Sequence, residues 1–227
     1  NNPYGHTNYV INKAIFPEEH PYNWQVIGEM EDLLNATVED VVEFYEKFYG
    51  PNNATLVLAG DFETEEAKRL VEKYFGEIKR GGEVADLEPQ PVTLEETVKL
   101  YHEDNFARAT QINMVWPTVE QYHDDAYALN FLAQILSDGK KAPMYKVLVK
   151  DKELTSRTRA YNNAMELAGM FRINITANQG KSLDEIEKAI FESFEMLEQD
   201  SITETDVERV RASLERSFYS GLQSILN

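Results

Sequence analysis

The chain has 227 residues, enough for one large domain or two of ordinary size, and 42% of them are hydrophobic, which argues against a disordered protein. Forty acidic and 22 basic residues give a formal net charge of −18, which argues against nucleic acid as a partner because nucleic-acid binders need a cationic surface. The absence of cysteine excludes disulfides and thiolate zinc sites, and no apolar run approaches the roughly 18 residues of a membrane span.

Two helices are predicted before residue 50. Residues 1–30 show no sustained period apart from one short helix at 8–15. Thr37, with Asp40 three residues later, has the pattern of a capping box, which predicts that a longer helix begins there. Gly50-Pro51 ends it, since glycine tolerates a left-handed cap and proline cannot continue the ladder. The apolar stripe expected to face the core is Val38, Val41, Val42, Tyr45, Phe48 and Tyr49.

A buried strand and another helix follow. Residues 54–59, ATLVLA, are almost entirely apolar, which predicts a central strand, and Gly60-Asp61 turns the chain sharply after it. Thr64 is the predicted cap of the next helix, and Gly76 ends it. Aromatic residues at helical spacing are expected in the core, so the inward residues of this helix are predicted to be Leu70, Val71, Tyr74 and Phe75.

The second half of the chain mixes strands and helices. KRGGEVADLEPQPVT, residues 79–93, has glycines and prolines without periodicity and is the linker candidate. Beyond it, β-branched and aromatic residues predict strands at 97–103, 110–116, 156–163 and 168–178. Apolar residues at helical spacing predict helices at 122–136 and 144–150. Two further helices are predicted to follow, capped by Ser182 with Glu185 and by Thr203 with Asp206. The inward residues are predicted to be Leu129, Leu132, Ala133 and Leu136, and in the last helix Val207, Val210, Leu214, Phe218, Leu222 and Ile225.

This order of elements predicts an α+β fold. Regular strand–helix–strand alternation is missing, so the sheets are expected to be mostly antiparallel and flanked by helices. T-x-x-D-V opens a helix at both 37–41 and 203–207, which permits a duplicated domain.

A long series of landmarks resembles the insulinase/pitrilysin (M16) family of zinc peptidases, which includes the mitochondrial processing peptidase. Residues 135–154 are similar to the loop and helix of the family's second domain, and PYGHTN near the N-terminus resembles exported peptidases of Bacteroidetes-type bacteria. The landmarks in the first half are His20-Pro21-Tyr22, Val26-Ile27-Gly28, Thr37, Phe44-Tyr45, Phe48-Tyr49, Pro51-Asn52-Asn53-Ala54, Gly60-Asp61 and Tyr74-Phe75-Gly76.

The chemistry that this resemblance implies rests on a motif that the chain does not contain. In H-x-x-E-H, two histidines on one helical face bind zinc and the glutamate acts as general base. The histidines here are too far apart in sequence to share a helical face, and Glu18-Glu19-His20 lacks the first histidine. In the family the zinc helix and its distal glutamate precede the NPYG region, residues 2–5 here, so we expect zinc in the parent protein and none in this segment.

No residue is assigned to catalysis or to a metal, and the substrate-binding residues stay unknown. His20 is interpreted as a histidine that fixes the turn before Pro21, with the peptide cleft as the alternative; His6 is similar, and His102 and His123 are expected at the surface. Some family members grip the substrate backbone with an arginine and a tyrosine seven residues apart. The matching positions hold Val149 and Ser156, neither of which can do so.

The resulting prediction is a fragment of a zinc metalloendopeptidase. It divides into the end of the first domain at 1–78, a linker at 79–92 and most of a second, non-metal domain at 93–227. The segment is expected to wall a peptide-cutting chamber and to be inactive alone. Expected partners are a peptide substrate and the other half of the peptidase or a second subunit, and the segment alone is expected to self-associate. The expected location is periplasmic or exported. The alternatives are a noncatalytic peptide-binding or scaffold homologue and an unrelated α+β binding module.

Overall fold

The computed structural model describes residues 2–223, which divide into two compact units. Gln25–Leu87 form the smaller unit, and the residues up to Trp24 together with those from Glu88 onward form the larger one. The predicted division at 1–78, 79–92 and 93–227 concerns domain duplication, which this grouping by contacts does not test. It stays a prediction.

The larger unit is built on a three-stranded antiparallel sheet. Its strands β1 (Gln111–Thr118), β2 (Ala160–Ala164) and β3 (Gly169–Thr176) lie in the order β1-β3-β2. In the register, Ile173 of the central strand lies between Met114 and Ala160. The predicted α+β class, the strand 110–116 and the antiparallel pair after residue 156 are confirmed.

One face of this sheet, here called the inner face, packs on helices. Alternation along β3 directs Phe171, Ile173 and Ile175 into the main core. This core also takes side chains from α5 (Asp124–Ser137), α6 (Leu183–Asp200) and a π-helix at Tyr145–Asp151. The predicted inward residues of α5 are confirmed, since Ala133 and Leu136 are buried and Leu129 and Leu132 pack against them.

The last two helices begin as predicted. Ser182 with Glu185 opens α6, and Thr203 with Asp206 opens α7 (Glu204–Gly221), in each case with both hydrogen bonds of a capping box. The predicted apolar stripe of α7 is only partly buried: Val210 is in the core, whereas Phe218 and Leu222 are exposed. Ile225 lies outside the described residues.

The opposite face of the sheet, the outer face, is partly covered by the N-terminal segment. The helix α1 (Thr7–Ile15) confirms the short helix predicted at 8–15, and a 3-10 turn follows at Pro21–Asn23. Ile15 and Phe16 pack against Met170 in a second, smaller cluster.

The smaller unit contains α2 (Met30–Asn35), α3 (Val38–Phe48), a 3-10 turn at Pro51–Asn53 and α4 (Thr64–Phe75). The capping box of Thr37 and Asp40 is confirmed. The apolar stripes of α3 and α4 are not core residues in this chain, contrary to prediction; Tyr45, for example, is 62% exposed. Both helices are amphipathic as predicted, but no hydrophobic side chain of the smaller unit is buried within the described part of the chain.

The strand predicted at 54–59 does not form. No segment among residues 2–223 pairs with it, and Val57 is 78% exposed. A strand needs hydrogen-bonding partners on a neighbouring backbone, which an apolar sequence does not supply. The same explanation holds for residues 97–103, predicted as a strand and found unpaired, with Tyr101 exposed.

Two local details also differ from prediction. Thr64 is the first residue of α4, and the preceding Glu63 holds the cap position without a side-chain hydrogen bond. Gly50 has φ −75°, so it is not a left-handed cap. Close packing requires glycine at this position instead, because a Cβ on residue 50 would lie 2.5 Å from the backbone nitrogen of Gly81.

Candidate functional site

His20 lies in a closed network of hydrogen bonds within the larger unit. The side chain is 5% exposed and stacks on Phe16 with ring centroids 4.5 Å apart. Nδ1 accepts a hydrogen bond from the backbone N–H of Tyr22 at 3.0 Å, so the ring proton sits on Nε2, which donates to the Gln90 carbonyl at 3.1 Å. Because both nitrogens have partners within the chain, neither is free to bind a metal in this conformation.

The fold brings two histidines together that the sequence keeps far apart. The rings of His6 and His102 have centroids 6.0 Å apart. Asp104 lies nearby in sequence, but its carboxylate accepts hydrogen bonds from backbone N–H groups, chiefly that of Phe106, which hold its pKa below the usual value. His123 has a structural role instead: its Nδ1 caps α5 by accepting a hydrogen bond from the backbone N–H of Asp125 at 3.1 Å.

The side chains that the structure describes do not fit a zinc ion. Within residues 2–223, no three histidine, aspartate or glutamate side chains are grouped closely enough to hold a metal. The pair of His6 and His102 therefore supplies at most two ligands, fewer than the three protein ligands of a catalytic zinc.

The positions aligned with the family's substrate-gripping pair lie at the end of the π-helix. Val149 is within that helix and half-buried, and Ser156 is exposed shortly after it. Between them Glu153 has φ +51°, a left-handed conformation at the turn out of the helix. The prediction that neither side chain grips a substrate stays a prediction.

The outer face of the sheet carries a cluster of amide and guanidinium side chains. Asn174 donates to Asn113 at 2.7 Å, and Asn113 donates to Gln111 at 3.2 Å, which links β3 and β1 through amides. Beside them, Arg159 and Arg172 both lie over the ring of Tyr161, the register partner of Arg172, with guanidinium carbons 4.7 and 5.7 Å from the ring centroid.

Arg172 is the residue of this cluster that sequence reasoning missed. It is 7% exposed, and its Nη1 donates to Asn8 Oδ1 of α1 at 2.8 Å. The signal was available in the sequence: an arginine lies among Met170, Phe171 and Ile173 at the centre of a predicted strand, where a charge is costly to bury.

Comparison with solved structures identifies the class of fold. A protease from Helicobacter pylori superposes with a TM-score of 0.79 at 24% identity, covering 98% of this chain and 54% of that one. The first half of the periplasmic protease PqqL from Escherichia coli superposes with a TM-score of 0.62 at 14% identity, covering 89% of this chain and 44% of that one. The fold is therefore that of M16-like peptidase domains.

Comparison of sequences identifies the family. A family model described as the peptidase M16 inactive domain matches residues 35–214, and the chain belongs to this family. The zinc protease PqqE of Helicobacter pylori is 26% identical over 208 residues, which cover 90% of this chain and 47% of that protein. The chain thus spans about half the length of this relative. The resemblance to insulinase/pitrilysin peptidases is confirmed.

No helix among residues 2–223 combines the length and the apolar character needed to cross a membrane. The match of the family model runs through the predicted linker at residues 79–92.

Proposed function

We propose that the chain is the noncatalytic part of a zinc metalloendopeptidase that hydrolyses peptides in an internal chamber. The observation that carries this proposal is the match to the inactive domain of M16 peptidases over residues 35–214. The role of this part is structural: it walls the chamber and is inactive alone. Zinc and the reacting groups belong to the rest of the parent protein, since the side chains described above do not fit the metal.

The uncovered apolar surface of the smaller unit supports a partner. α3 and α4 expose their apolar stripes, and residues 54–59 run between them in sequence as an unpaired apolar segment. An open groove of about 400 Å³ beside α4 is lined by Leu58, Phe62 and Val71 among others. A sheet that accepted residues 54–59 as a strand would cover both features. The partner is therefore the remaining half of the peptidase, and copies of this chain self-associate when that half is missing.

A periplasmic or exported location completes the proposal. A chain without cysteine needs neither a reducing compartment nor disulfide formation, and PYGHTN near its N-terminus resembles exported peptidases of the family. Measuring the distribution of the tagged parent protein between periplasm and cytoplasm tests this part.

The alternative is a noncatalytic homologue that binds peptides or scaffolds a partner subunit. The positions aligned with the substrate-gripping pair hold Val149 and Ser156, which fits a scaffold homologue as well as it fits a segment of the zinc-bearing half. The two hypotheses predict different properties for the parent protein but the same properties for this segment.

The test is made on the full-length parent protein. We expect one zinc ion per parent chain and cleavage of an unstructured peptide that stops when a chelator removes the metal. A parent protein that binds the peptide without cleaving it, and holds no zinc, would contradict the peptidase proposal and support the noncatalytic homologue.

A further inference from the structure

Arg172 is a buried charge without a carboxylate partner. The residue is 7% exposed, and the ion pairs formed by residues 2–223 do not include it. Its Nε has no hydrogen-bond partner there, and the one hydrogen bond from the guanidinium goes to the neutral amide of Asn8. Arg209 offers a contrast: its Nε is likewise unpartnered, but its guanidinium lies 4.0 Å from the carboxylate of Asp206.

This arrangement is unfavourable unless something else pairs with the guanidinium. A buried charge is costly when unpaired, and a guanidinium has five N–H donors to satisfy. The chain has 40 acidic residues, so a carboxylate partner on the same sheet would be easy to provide. The outer face instead places Arg159 near Arg172, on the same aromatic ring, which concentrates positive charge on a protein of net charge −18.

The groups around Arg172 suit a planar anion. Tyr161 holds both guanidinium groups against its ring, which restricts their orientation. Asn113 and Asn174 add amide groups at the neighbouring register positions of β1 and β3. An arginine fork matches the two oxygens of a carboxylate in geometry as well as charge.

We infer that the outer face at Arg172, Arg159 and Tyr161 is a binding site for a carboxylate group. Arg172 pairs with the carboxylate through its guanidinium, and the exposed Arg159 adds a second charge. The carboxylate can come from a peptide, at its C-terminus or an acidic side chain, or from an aspartate or glutamate elsewhere in the parent protein. The peptide source rests on the proposed function; the site itself does not.

The experiment follows the Nε–Hε signals of the arginines by NMR in the 227-residue chain labelled with ¹⁵N-arginine. The Arg172 signal is assigned with Arg172→Lys. Acetate is added first, against chloride at equal ionic strength, and then a matched pair of unstructured peptides, one with a free C-terminal carboxylate and one amidated. Arg172→Met and Arg159→Met remove the two charges, and Arg216→Met removes an exposed arginine of α7 as the control.

We expect acetate, but not chloride, to shift the Arg172 signal in a saturable way. Arg172→Met should weaken binding at least about tenfold, Arg159→Met less, and Arg216→Met not at all, as expected for loss of a charge-assisted hydrogen bond. Because Arg159 is exposed, its variant keeps the test valid if Arg172→Met unfolds the chain.

The outcomes separate the source of the carboxylate from the existence of the site. Tighter binding of the free-acid peptide than of the amide assigns the site to peptides. A response to acetate alone assigns it to another part of the parent protein and leaves the peptidase proposal untouched. An Arg172 signal that moves equally with acetate and chloride, or is unchanged by both, overturns the inference.

Discussion

At the scale of single residues, the histidines show that placement decides between a structural and a chemical role. His20 accepts from one backbone group and donates to another, so it ties Tyr22 and Gln90 together and has no nitrogen left for a ligand. His6 and His102 lie close together, but residues 2–223 offer no third ligand beside them. The sequence spacing excludes a shared helix, but it could not predict the proximity of these two rings, because tertiary folding joins residues 6 and 102.

Replacing His20 should therefore reduce stability. We expect His20→Ala to lower the free energy of unfolding by about 1–3 kcal/mol, because buried partners lose their hydrogen bonds. Urea denaturation followed by circular dichroism measures the change. His102→Ala, an exposed histidine, is the control and should change stability by less than about 0.5 kcal/mol; equal losses for the two variants would show that His20 has no special structural role.

At the scale of elements, the core of the larger unit depends on α6 lying against the inner face of the sheet. Ile186, Ala189 and Ile190 are fully buried there, together with Ile173 and Ile175 of β3. This part of the fold was predictable from the sequence, because periods of two and of about 3.6 residues mark which side chains face the core.

Truncating a buried side chain of α6 tests this packing. Ile190→Ala should cost about 2–5 kcal/mol in the free energy of unfolding, through lost burial and the cavity left behind. Phe191 is the matched control, since it follows in the same helix but is 46% exposed, so Phe191→Ala should cost clearly less. The reverse order in a urea titration would mean that α6 is rotated relative to the structure.

The capping carboxylates make the helices sensitive to acid. Hydrogen bonds from Ser182, first from its backbone N–H, lower the pKa of Glu185, and those from Thr203, first from its hydroxyl, lower that of Asp206. A lowered pKa in the folded state gives stability that is complete above the unfolded value and is lost as pH falls through the folded one. The loss should therefore occur below the ordinary values of 4.5 and 3.8.

We expect the urea midpoint to fall as the pH is lowered from about 4.5 to about 2, and to fall less in the double variant Glu185→Gln with Asp206→Asn, whose caps no longer titrate. An identical pH dependence in the variant and the original chain would show that other groups control acid stability.

Residues 54–59 and 97–103 mark the limit of sequence reasoning at this scale. Their composition is that of strands, but strand pairing is a property of two segments, and the described residues offer no second one. Composition predicts a strand in each segment, but it cannot show whether a partner strand is present.

At the scale of the whole molecule, the two units differ in what they bury. The larger unit has two hydrophobic clusters, and the smaller unit has helices without buried apolar side chains. The fold class and the capping boxes of Thr37, Ser182 and Thr203 were predictable from periodicity and local motifs, whereas the cap predicted at Thr64 is wrong. The exposed stripes of α3 were predicted as core, which is wrong for this chain, because periodicity identifies an apolar face without showing what covers it.

The exposed stripe of α3 should make the isolated chain self-associate. Light scattering coupled to size-exclusion chromatography should show oligomers whose fraction rises with concentration, because large uncovered apolar patches drive association. The double variant Val41→Gln with Tyr45→Gln should reduce that fraction. Glu39→Gln with Glu46→Gln, on the polar side of the same helix, is the control; a compact monomer at every concentration would argue against an uncovered docking surface.

The most direct test of the account is made on the 227-residue chain itself, by measuring bound zinc and the cleavage of an unstructured peptide with and without a chelator. If this chain is the noncatalytic part of a zinc peptidase, it should hold far less than one zinc ion per chain and leave the peptide intact under both conditions. One tightly bound zinc ion per chain, with cleavage that the chelator abolishes, would contradict the account.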